Sequence, residues 1–441
     1  MLDVPDGFCD LFDAGGGTVV TAGDRPAPIA LDDLAEPRFD DATREILSLM
    51  SAAGSAVSLD ARSLMAQAAS DTGLDDFDAD DVTGRLDLLC RALRDEAGLN
   101  GAGVLTQSVL LTGLLRNRLL IQDLLTRHPE IREEVISAPI VICGLPRTGT
   151  THLHNLLSAD DRLRSLPYWE SLEPVLADGE HPAPGDPDPR RARTAMGLDF
   201  LNAALPEFRR MHEMTVDHAH EEIQLLAIDI SSMLFETVAP MPSWRDAYLA
   251  RDQAPSYGYL RTVLQVLQWS RGGTRWVLKS PQHLEQFPAL LATFPDATFV
   301  VTHRDPVPVT VSMVTMLAYT ARLAQDRVDP VAISSYWVDR LERMLRSCVD
   351  QRDGLPAART IDVHFDEFMT DDLAMVRRIH DVAGLPADRA AEASMRAFTE
   401  AHPRGRFGGI EYDVVPFGLD RDELRDRFSF YSERFGVRAE G

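Results

Sequence analysis

Between residues 31 and 136, hydrophobic positions recur every three or four residues, as in ATREILSLMSAAG and VLLTGLLRNRLLIQDLLTRH. Apolar residues at this spacing fall on one face of an α-helix, so they predict amphipathic helices that pack against a neighbour. Residues 1–30 lack this period and include a run of three glycines, which predicts a loosely ordered leader. We therefore predict an N-terminal helical subdomain over residues 31–137.

Beyond this subdomain the pattern changes to short, continuously apolar runs separated by helical segments. The runs are PIVICG, TRWVLKS, ATFVVTHR and ARTIDVHF. Such runs are typical of strands buried on both faces, and helices between them predict right-handed crossovers and a parallel sheet. The intervening helices are predicted over residues 197–236, 253–269 and 366–386. The second part of the chain is therefore predicted to be one α/β domain over residues 138–437.

Residues 141–151, VICGLPRTGTT, join the first apolar run to a helix start through a loop bracketed by Gly144 and Gly149. Glycines allow close backbone approach, and the free N–H groups of the helix start attract an anion. The spacing is that of a Walker A loop, but Thr150 replaces its lysine, which is a poor fit to a magnesium-bound triphosphate. Arg147 can supply a planar cationic fork instead. An ordinary strand–turn–helix junction is the alternative.

A second segment, residues 297–316, repeats the pattern of a buried strand followed by a helix start. Asp305 is a natural helix cap and Pro306 suits the first helical turn. Arg304 and Ser312 are about two helical turns apart, so both can face one ligand. An arginine fork and a hydroxyl suit a phosphate monoester. Alternatively, Arg304 faces solvent and pairs with Asp305.

Together, GLPRTGTT and FVVTHRDPVPVTVS resemble the paired nucleotide-binding signature of the sulfotransferases, in its broad bacterial branch and similar also to the protein-tyrosine enzymes. The resemblance spans residues 100–437 and implies 3′-phosphoadenosine 5′-phosphosulfate (PAPS) as co-substrate, held on a P-loop-type parallel sheet flanked by helices. It implies that Arg304 and Ser312 hold the 3′-phosphate. The late segment HPRGRFGGIEYD resembles the family's loop over that phosphate. The other nucleotide-binding residues that it implies are Arg147, Thr148, Gly149, Thr150, Thr151, Arg404 and Gly405.

For catalysis, the resemblance places Lys279 where the family has its active-site lysine, and we expect Lys279 and Arg147 to stabilise charge on the transferred group. The alternative for Lys279 is a strand-end lysine in solvent. A sulfuryl group carries less negative charge than a terminal phosphate, so we expect no metal ion.

Two segments compete for the general base. Glu170 resembles the catalytic glutamate of the protein-tyrosine sulfotransferases and is the first candidate. His220 and Glu222, in MTVDHAHEEIQLL, are the second, because histidine is a natural base near neutral pH. His283 is the third. As an alternative, Glu221 and Glu222 are simply first-turn helix acids that the helix dipole favours.

Composition narrows the function classes. The formal net charge of −25 argues against a nucleic-acid partner, so an anionic ligand requires a local basic pocket. The four cysteines, Cys9, Cys90, Cys143 and Cys348, are too scattered for a zinc site or a disulfide scaffold. No apolar run is long enough to cross a membrane and no secretory signal is visible, so we expect a cytoplasmic enzyme.

We therefore predict a sulfotransferase that moves the sulfuryl group of PAPS to a hydroxyl of a small acceptor and releases 3′-phosphoadenosine 5′-phosphate (PAP). Apolar helices near residues 100–125 and 223–235 suit a hydrophobic acceptor, although core packing explains the same pattern. The alternatives are a P-loop small-molecule or nucleoside kinase and a non-catalytic nucleotide-binding protein. The sequence leaves the acceptor and the oligomeric state open.

Overall fold

The computed structural model describes residues 25–78, 81–183 and 185–440, so most of the predicted leader lies outside the described residues. The last two residues of the predicted leader form the short strand β1 (Ile29–Ala30), which pairs in parallel with β6 (Ile410–Glu411). This pairing joins the start of the described chain to a segment near its end.

The periodic N-terminal segments form four helices: α1 (Asp41–Gly54), α2 (Ala61–Thr72), α3 (Val82–Asp95) and α4 (Gly101–Arg127). The side chains of Asp40, Asp60 and Asn100 accept hydrogen bonds from backbone N–H groups in the first turns of α1, α2 and α4. The buried leucines of α4 belong to the same hydrophobic cluster as Val141 and Val301 of the α/β part. The predicted helices thus pack against the α/β part.

The central sheet contains four parallel strands, as the apolar runs predict, and their order is β3–β2–β4–β5. They are β2 (Ile140–Cys143), β3 (Val277–Lys279), β4 (Thr298–His303) and β5 (Thr360–His364). β2, β3 and β4 are buried throughout. The predicted α/β class with a parallel sheet is confirmed.

Helices cover both faces of this sheet. Because successive strand residues point to opposite faces, Ile142 and Val300 face one hydrophobic cluster and Val141 and Val301 face another. Across the described residues the helices after β2 are α5 (Thr150–Ser158), α6 (Tyr168–Leu172), α7 (Pro189–Ala204), α8 (Phe208–Met211), α9 (Ile223–Ile228), α10 (Pro242–Ala250), α11 (Ala254–Arg271), α12 (Phe287–Thr293), α13 (Pro306–Ala321), α14 (Pro330–Gln351), α15 (Phe365–Thr370), α16 (Asp372–Val382), α17 (Arg389–Ala401) and α18 (Arg421–Phe435). None of these helices, nor of the four before them, is both long and apolar enough to cross a membrane.

Two predicted helices differ from the structure. The segment 197–236 is divided into several short helices, and residues 212–222 form a loop in which Ala219 bridges to Pro167. The segment 366–386 is interrupted at Asp371, because its side chain accepts the Ala374 N–H and starts a new helix. The first difference matters for the site, since the loop carries polar side chains to the edge of the sheet.

Candidate active site

The loop after β2 has the close packing that its glycines predict. A Cβ on Gly144 would lie 1.9 Å from the Thr302 hydroxyl oxygen on β4, so no side chain fits there. Gly149 has φ 83°, and α5 begins at the next residue. Arg147 has φ 69°, a left-handed conformation that side chains disfavour. The loop is therefore folded tightly over the N-terminus of α5.

The Thr148 side chain turns inward. Its hydroxyl donates to the Leu145 carbonyl at 2.6 Å and lies 2.8 Å from the Thr302 hydroxyl. This corrects the expectation that the Thr148 hydroxyl faces a ligand, because both contacts hold it inside the loop. Its role in the structure is to fix the loop to β4.

A cavity of about 880 Å³ opens in front of this loop. Its walls come from the loop, residues 212–224, α13 and residues 398–408. The predicted site residues that line it are Arg147, Gly149, Thr150, Thr151, His220, Arg304, Arg404 and Gly405. The structure therefore brings residues from four distant segments to one cavity.

One corner of the cavity holds Arg147 and Arg304. Arg304 donates from Nη1 to the Arg147 carbonyl at 2.6 Å, and its guanidinium lies 3.9 Å from the centre of the Phe365 ring. Arg147 donates from Nε to the Ser312 hydroxyl at 3.0 Å. Arg147 thus contacts both Ser312 and Arg304, the two residues that the sequence predicts to face one ligand.

Arg304 does not pair with Asp305. Instead, its Nε and Nη2 each donate to the Glu440 carboxylate at 2.7 Å. Asp305 accepts the Val307 N–H at 2.9 Å and caps α13, as its position predicts. The two residues therefore have separate roles.

Lys279 ends β3 and is buried, which excludes a solvent-facing lysine. Its ammonium forms an ion pair with Glu221 and lies 3.4 Å from the Thr151 hydroxyl, and both partners line the cavity. The adjacent Glu222 accepts the Lys279 backbone N–H at 2.6 Å. Lys279 is therefore held at the cavity wall, beside the loop.

A histidine pair lies near this lysine. His218 Nε2 is 2.9 Å from His220 Nδ1, and His218 Nδ1 is 2.6 Å from the Thr215 carbonyl. His218 Nδ1 also lies 3.1 Å from the Thr215 N–H. Because the contact with the carbonyl is the shorter one and that oxygen can only accept, we assign the proton of His218 to Nδ1, which leaves its Nε2 to accept from His220 Nδ1. His220 Nε2 then carries a lone pair, and it has no hydrogen-bond partner among the described residues.

Burial lowers the pKa of both histidines, that of His220 well below its ordinary value. The rings are therefore neutral near pH 7. Tyr168 packs on His220 with ring centres 4.6 Å apart and fixes its orientation. His220 lines the cavity, and its unpaired Nε2 is buried just behind the surface. A neutral imidazole in this position can accept a proton from a hydroxyl that reaches it.

Glu170 lies away from the cavity. Its carboxylate is bound by Arg164 at 3.3 Å and by Arg271 at 2.9 Å, and its side chain is 1% exposed. Burial raises its pKa, although Arg164 and Arg271 oppose the rise. This corrects the first candidate for the base, because a carboxylate enclosed by two arginines does not reach a ligand in the cavity.

Glu222 and His283 also lie behind the cavity wall. Glu222 is fully buried, which raises the pKa of its carboxyl well above the ordinary value. His283 lies 2.8 Å from the Tyr257 hydroxyl, and burial lowers its pKa to about 3. Both expectations for a base are corrected, since Glu222 holds the end of β3 and His283 is enclosed by the core.

Arg404 and Gly405 also line the cavity. Arg404 Nη2 donates to Asp372 at 2.9 Å and lies 3.0 Å from His152 Nε2, which is itself 2.8 Å from the same carboxylate, and Gly405 adopts φ 69°. The sequence prediction missed Arg209 and Arg406, which add cationic side chains to the cavity wall. Arg406 could have been found from its place in the glycine-flanked HPRGRFGG segment.

Among residues 25–78, 81–183 and 185–440, no cluster of histidine, cysteine and carboxylate side chains is arranged to hold a metal ion. The cationic groups that the structure places at the cavity are arginines and a lysine. Such a site suits an anionic ligand whose charge is neutralised by side chains and helix N–H groups.

Comparisons with known proteins agree on one family. The protein-family model described as "Sulfotransferase family" matches residues 139–389 of this chain. The omega-hydroxy-beta-dihydromenaquinone-9 sulfotransferase Stf3 of Mycobacterium bovis is similar, at 26% identity over 322 residues, which cover 68% of this chain and 77% of that protein. The Mycobacterium tuberculosis protein of the same name matches equally.

Two solved structures are similar over most of the chain. Sulfotransferase STF1 from Mycobacterium tuberculosis H37Rv has a TM-score of 0.70 and 29% identity, covering 84% of this chain and 98% of that one. Sulfotransferase STF9 from Mycobacterium avium has a TM-score of 0.78 and 25% identity, covering 87% and 98%. The likeness extends into the N-terminal helical region, since each alignment covers more residues than the 303 that lie between position 139 and the end of the chain.

Proposed function

Because this chain belongs to the sulfotransferase family, we propose that it transfers the sulfuryl group of PAPS to a hydroxyl of an apolar acceptor. The observation that carries the proposal is the pair of cationic positions at one cavity. One is the loop and helix N-terminus beside Lys279, and the other is the Arg304 fork. PAPS carries anionic groups at its 5′ and 3′ ends, so it can use both positions.

The chain's own residues divide the chemistry as follows. His220 Nε2 accepts the proton of the acceptor hydroxyl, whose oxygen then attacks sulfur as the bond from sulfur to the 5′-phosphate oxygen breaks. Lys279, Arg147 and the N–H groups at the start of α5 neutralise the charge that develops on the sulfuryl and leaving oxygens. Glu221 holds the lysine ammonium in place. The products are the sulfated acceptor and PAP.

The apolar part of the cavity wall supports an apolar acceptor. It is lined by Ile223, Met233, Leu234, Met313, Met316 and Leu317. A second cavity of about 320 Å³ has Tyr168 in its wall and is otherwise lined mainly by apolar side chains of α1, α6, α7 and residues 323–324. Since Tyr168 also contacts His220, apolar space lies on both sides of the proposed base. The Stf3 relative is named for a hydroxylated dihydromenaquinone, which agrees with this acceptor class.

The nucleotide proposal is tested by thermal unfolding. PAP should raise the melting temperature strongly, because binding to the folded state alone adds about 2.7 kcal/mol of stability at a hundredfold excess over Kd. ATP with magnesium should raise it far less, since the loop lacks the Walker lysine. A larger shift with ATP and magnesium would favour the kinase alternative.

The acceptor proposal is tested with labelled PAPS and a series of primary alcohols of increasing chain length. We expect kcat/KM to rise by about fourfold per methylene, which corresponds to about 0.8 kcal/mol of apolar burial. Gly197 lines the second cavity, and a Cβ there meets open space, so Gly197→Leu should fill part of that cavity. Its matched control, Gly113→Leu, replaces another helical glycine whose Cβ meets open space, in α4 outside both cavities.

The expected result is that Gly197→Leu lowers kcat/KM for long alcohols and leaves short ones unchanged, whereas Gly113→Leu changes neither. If chain length had no effect in any variant, the apolar acceptor would be refuted. If PAP bound but no alcohol or phenol were sulfated, the non-catalytic alternative would replace the enzyme.

A further inference from the structure

The protein's own C-terminal segment places a carboxylate in the Arg304 fork. Glu440 accepts from Arg304 Nε and Nη2 at 2.7 Å each, a bidentate arrangement in which both side chains are partly buried. Arg304 Nη1 is already directed at the Arg147 carbonyl, and Phe365 covers a face of the guanidinium. A phosphate would accept hydrogen bonds from the same two N–H groups, Nε and Nη2, that now donate to Glu440.

Backbone contacts hold Glu440 in this position. Its N–H donates to Asp305 Oδ2 at 2.7 Å, and its carbonyl accepts from Arg425 Nη2 at 3.1 Å. Asp305 is itself fixed as the cap of α13. The segment is thus attached to the site through both its main chain and its side chain, unlike a chance surface ion pair.

We propose that Glu440 is an internal competitor for the nucleotide phosphate that Arg304 binds, so the C-terminal segment must leave before the ligand can occupy the fork. This inference rests on the proposed function. A competing internal contact raises the apparent Kd by the inverse of the fraction of molecules in which the fork is free. A contact between two partly exposed side chains is modest, so we expect an effect of about fivefold.

The test is calorimetric binding of PAP to the full chain. Glu440→Gln keeps the size of the side chain but removes its charge, and we expect it to bind PAP about fivefold more tightly. Adenosine 5′-phosphate lacks the 3′-phosphate, so its affinity should not change. The matched control is Glu433→Gln, which removes the same charge from an exposed residue of α18 and should leave PAP affinity unchanged.

A second variant separates competition from general electrostatics. Arg425→Met removes the donor to the Glu440 carbonyl and should also tighten PAP binding, although it deletes a positive charge and simple attraction predicts weaker binding. In an Arg304→Ala background, Glu440→Gln should have no effect, since the shared partner is absent.

The outcomes are distinguishable. If neither the natural chain nor Glu440→Gln binds PAP, the proposed function is wrong. If the natural chain binds PAP and Glu440→Gln binds it equally well, the competitor is refuted while the function stands. Equal gains for PAP and adenosine 5′-phosphate, or for Glu440→Gln and Glu433→Gln, would also refute it, because they would reflect net charge.

Discussion

Replacing Lys279 with methionine should lower kcat by about a hundredfold to a thousandfold, the usual loss when one preorganised charge-stabilising donor is removed. Methionine keeps the unbranched apolar stem, and the PAP affinity should change much less than kcat, because the ammonium stabilises charge that develops in the transition state. Steady-state kinetics with labelled PAPS and calorimetry with PAP measure the two quantities.

The Glu221 ion pair supplies the control for this result. Removing Lys279 leaves the Glu221 carboxylate beside the cavity without its partner, and this charge could itself repel an anionic ligand. The double variant Lys279→Met/Glu221→Gln removes both charges. If the double variant regained most of the turnover, the loss would come from the freed carboxylate, and Lys279 would have no direct role in charge stabilisation.

Replacing His220 with glutamine should lower kcat by about a hundredfold or more, since a positioned general base contributes roughly 10²- to 10⁴-fold. The loss should shrink for a phenol of low pKa, because that acceptor arrives ionised and needs no base. The PAP affinity should be nearly unchanged. The dependence of kcat on acceptor pKa distinguishes a lost base from a general disturbance of the site.

Glu170→Gln is the comparison for this prediction. This substitution removes the charge of a buried side chain that contacts Arg164 and Arg271, so we expect lower stability against urea. We expect nearly normal turnover in the folded protein. Abolished turnover in a folded Glu170→Gln protein, with His220→Gln still active, would return the base to Glu170 and contradict our assignment.

The elements that the sequence predicts well are those that depend on local signals. The four strands follow from continuous apolar runs, and the tight loop after β2 follows from the glycine spacing between a strand and a helix. The start of α13 follows from Asp305 and Pro306. Each of these features is determined by residues within a few positions of one another, so a pattern is sufficient.

The candidates for the general base are harder to rank from the sequence, because the environment of each comes from distant segments. In the sequence, Glu170 and His220 are both residue types that can act as a base. In the structure, Arg271, about a hundred positions along the chain, binds the Glu170 carboxylate. The loop 212–222 carries no hydrophobic period, so its path along the cavity is fixed by backbone contacts such as that of His220 with Leu166. The Glu440 contact with Arg304 joins residues 136 positions apart, and no local signal marks it.

The left-handed backbone of Arg147 has a consequence for protein engineering. At φ 69° a side chain costs about 1 kcal/mol, and glycine would avoid this strain. A library selected for heat resistance alone should therefore drift toward glycine or asparagine at this position. A library selected for product formation should retain the arginine, whose guanidinium meets Ser312 at the cavity. Opposite enrichment at one codon would thus separate the demands of folding from those of catalysis.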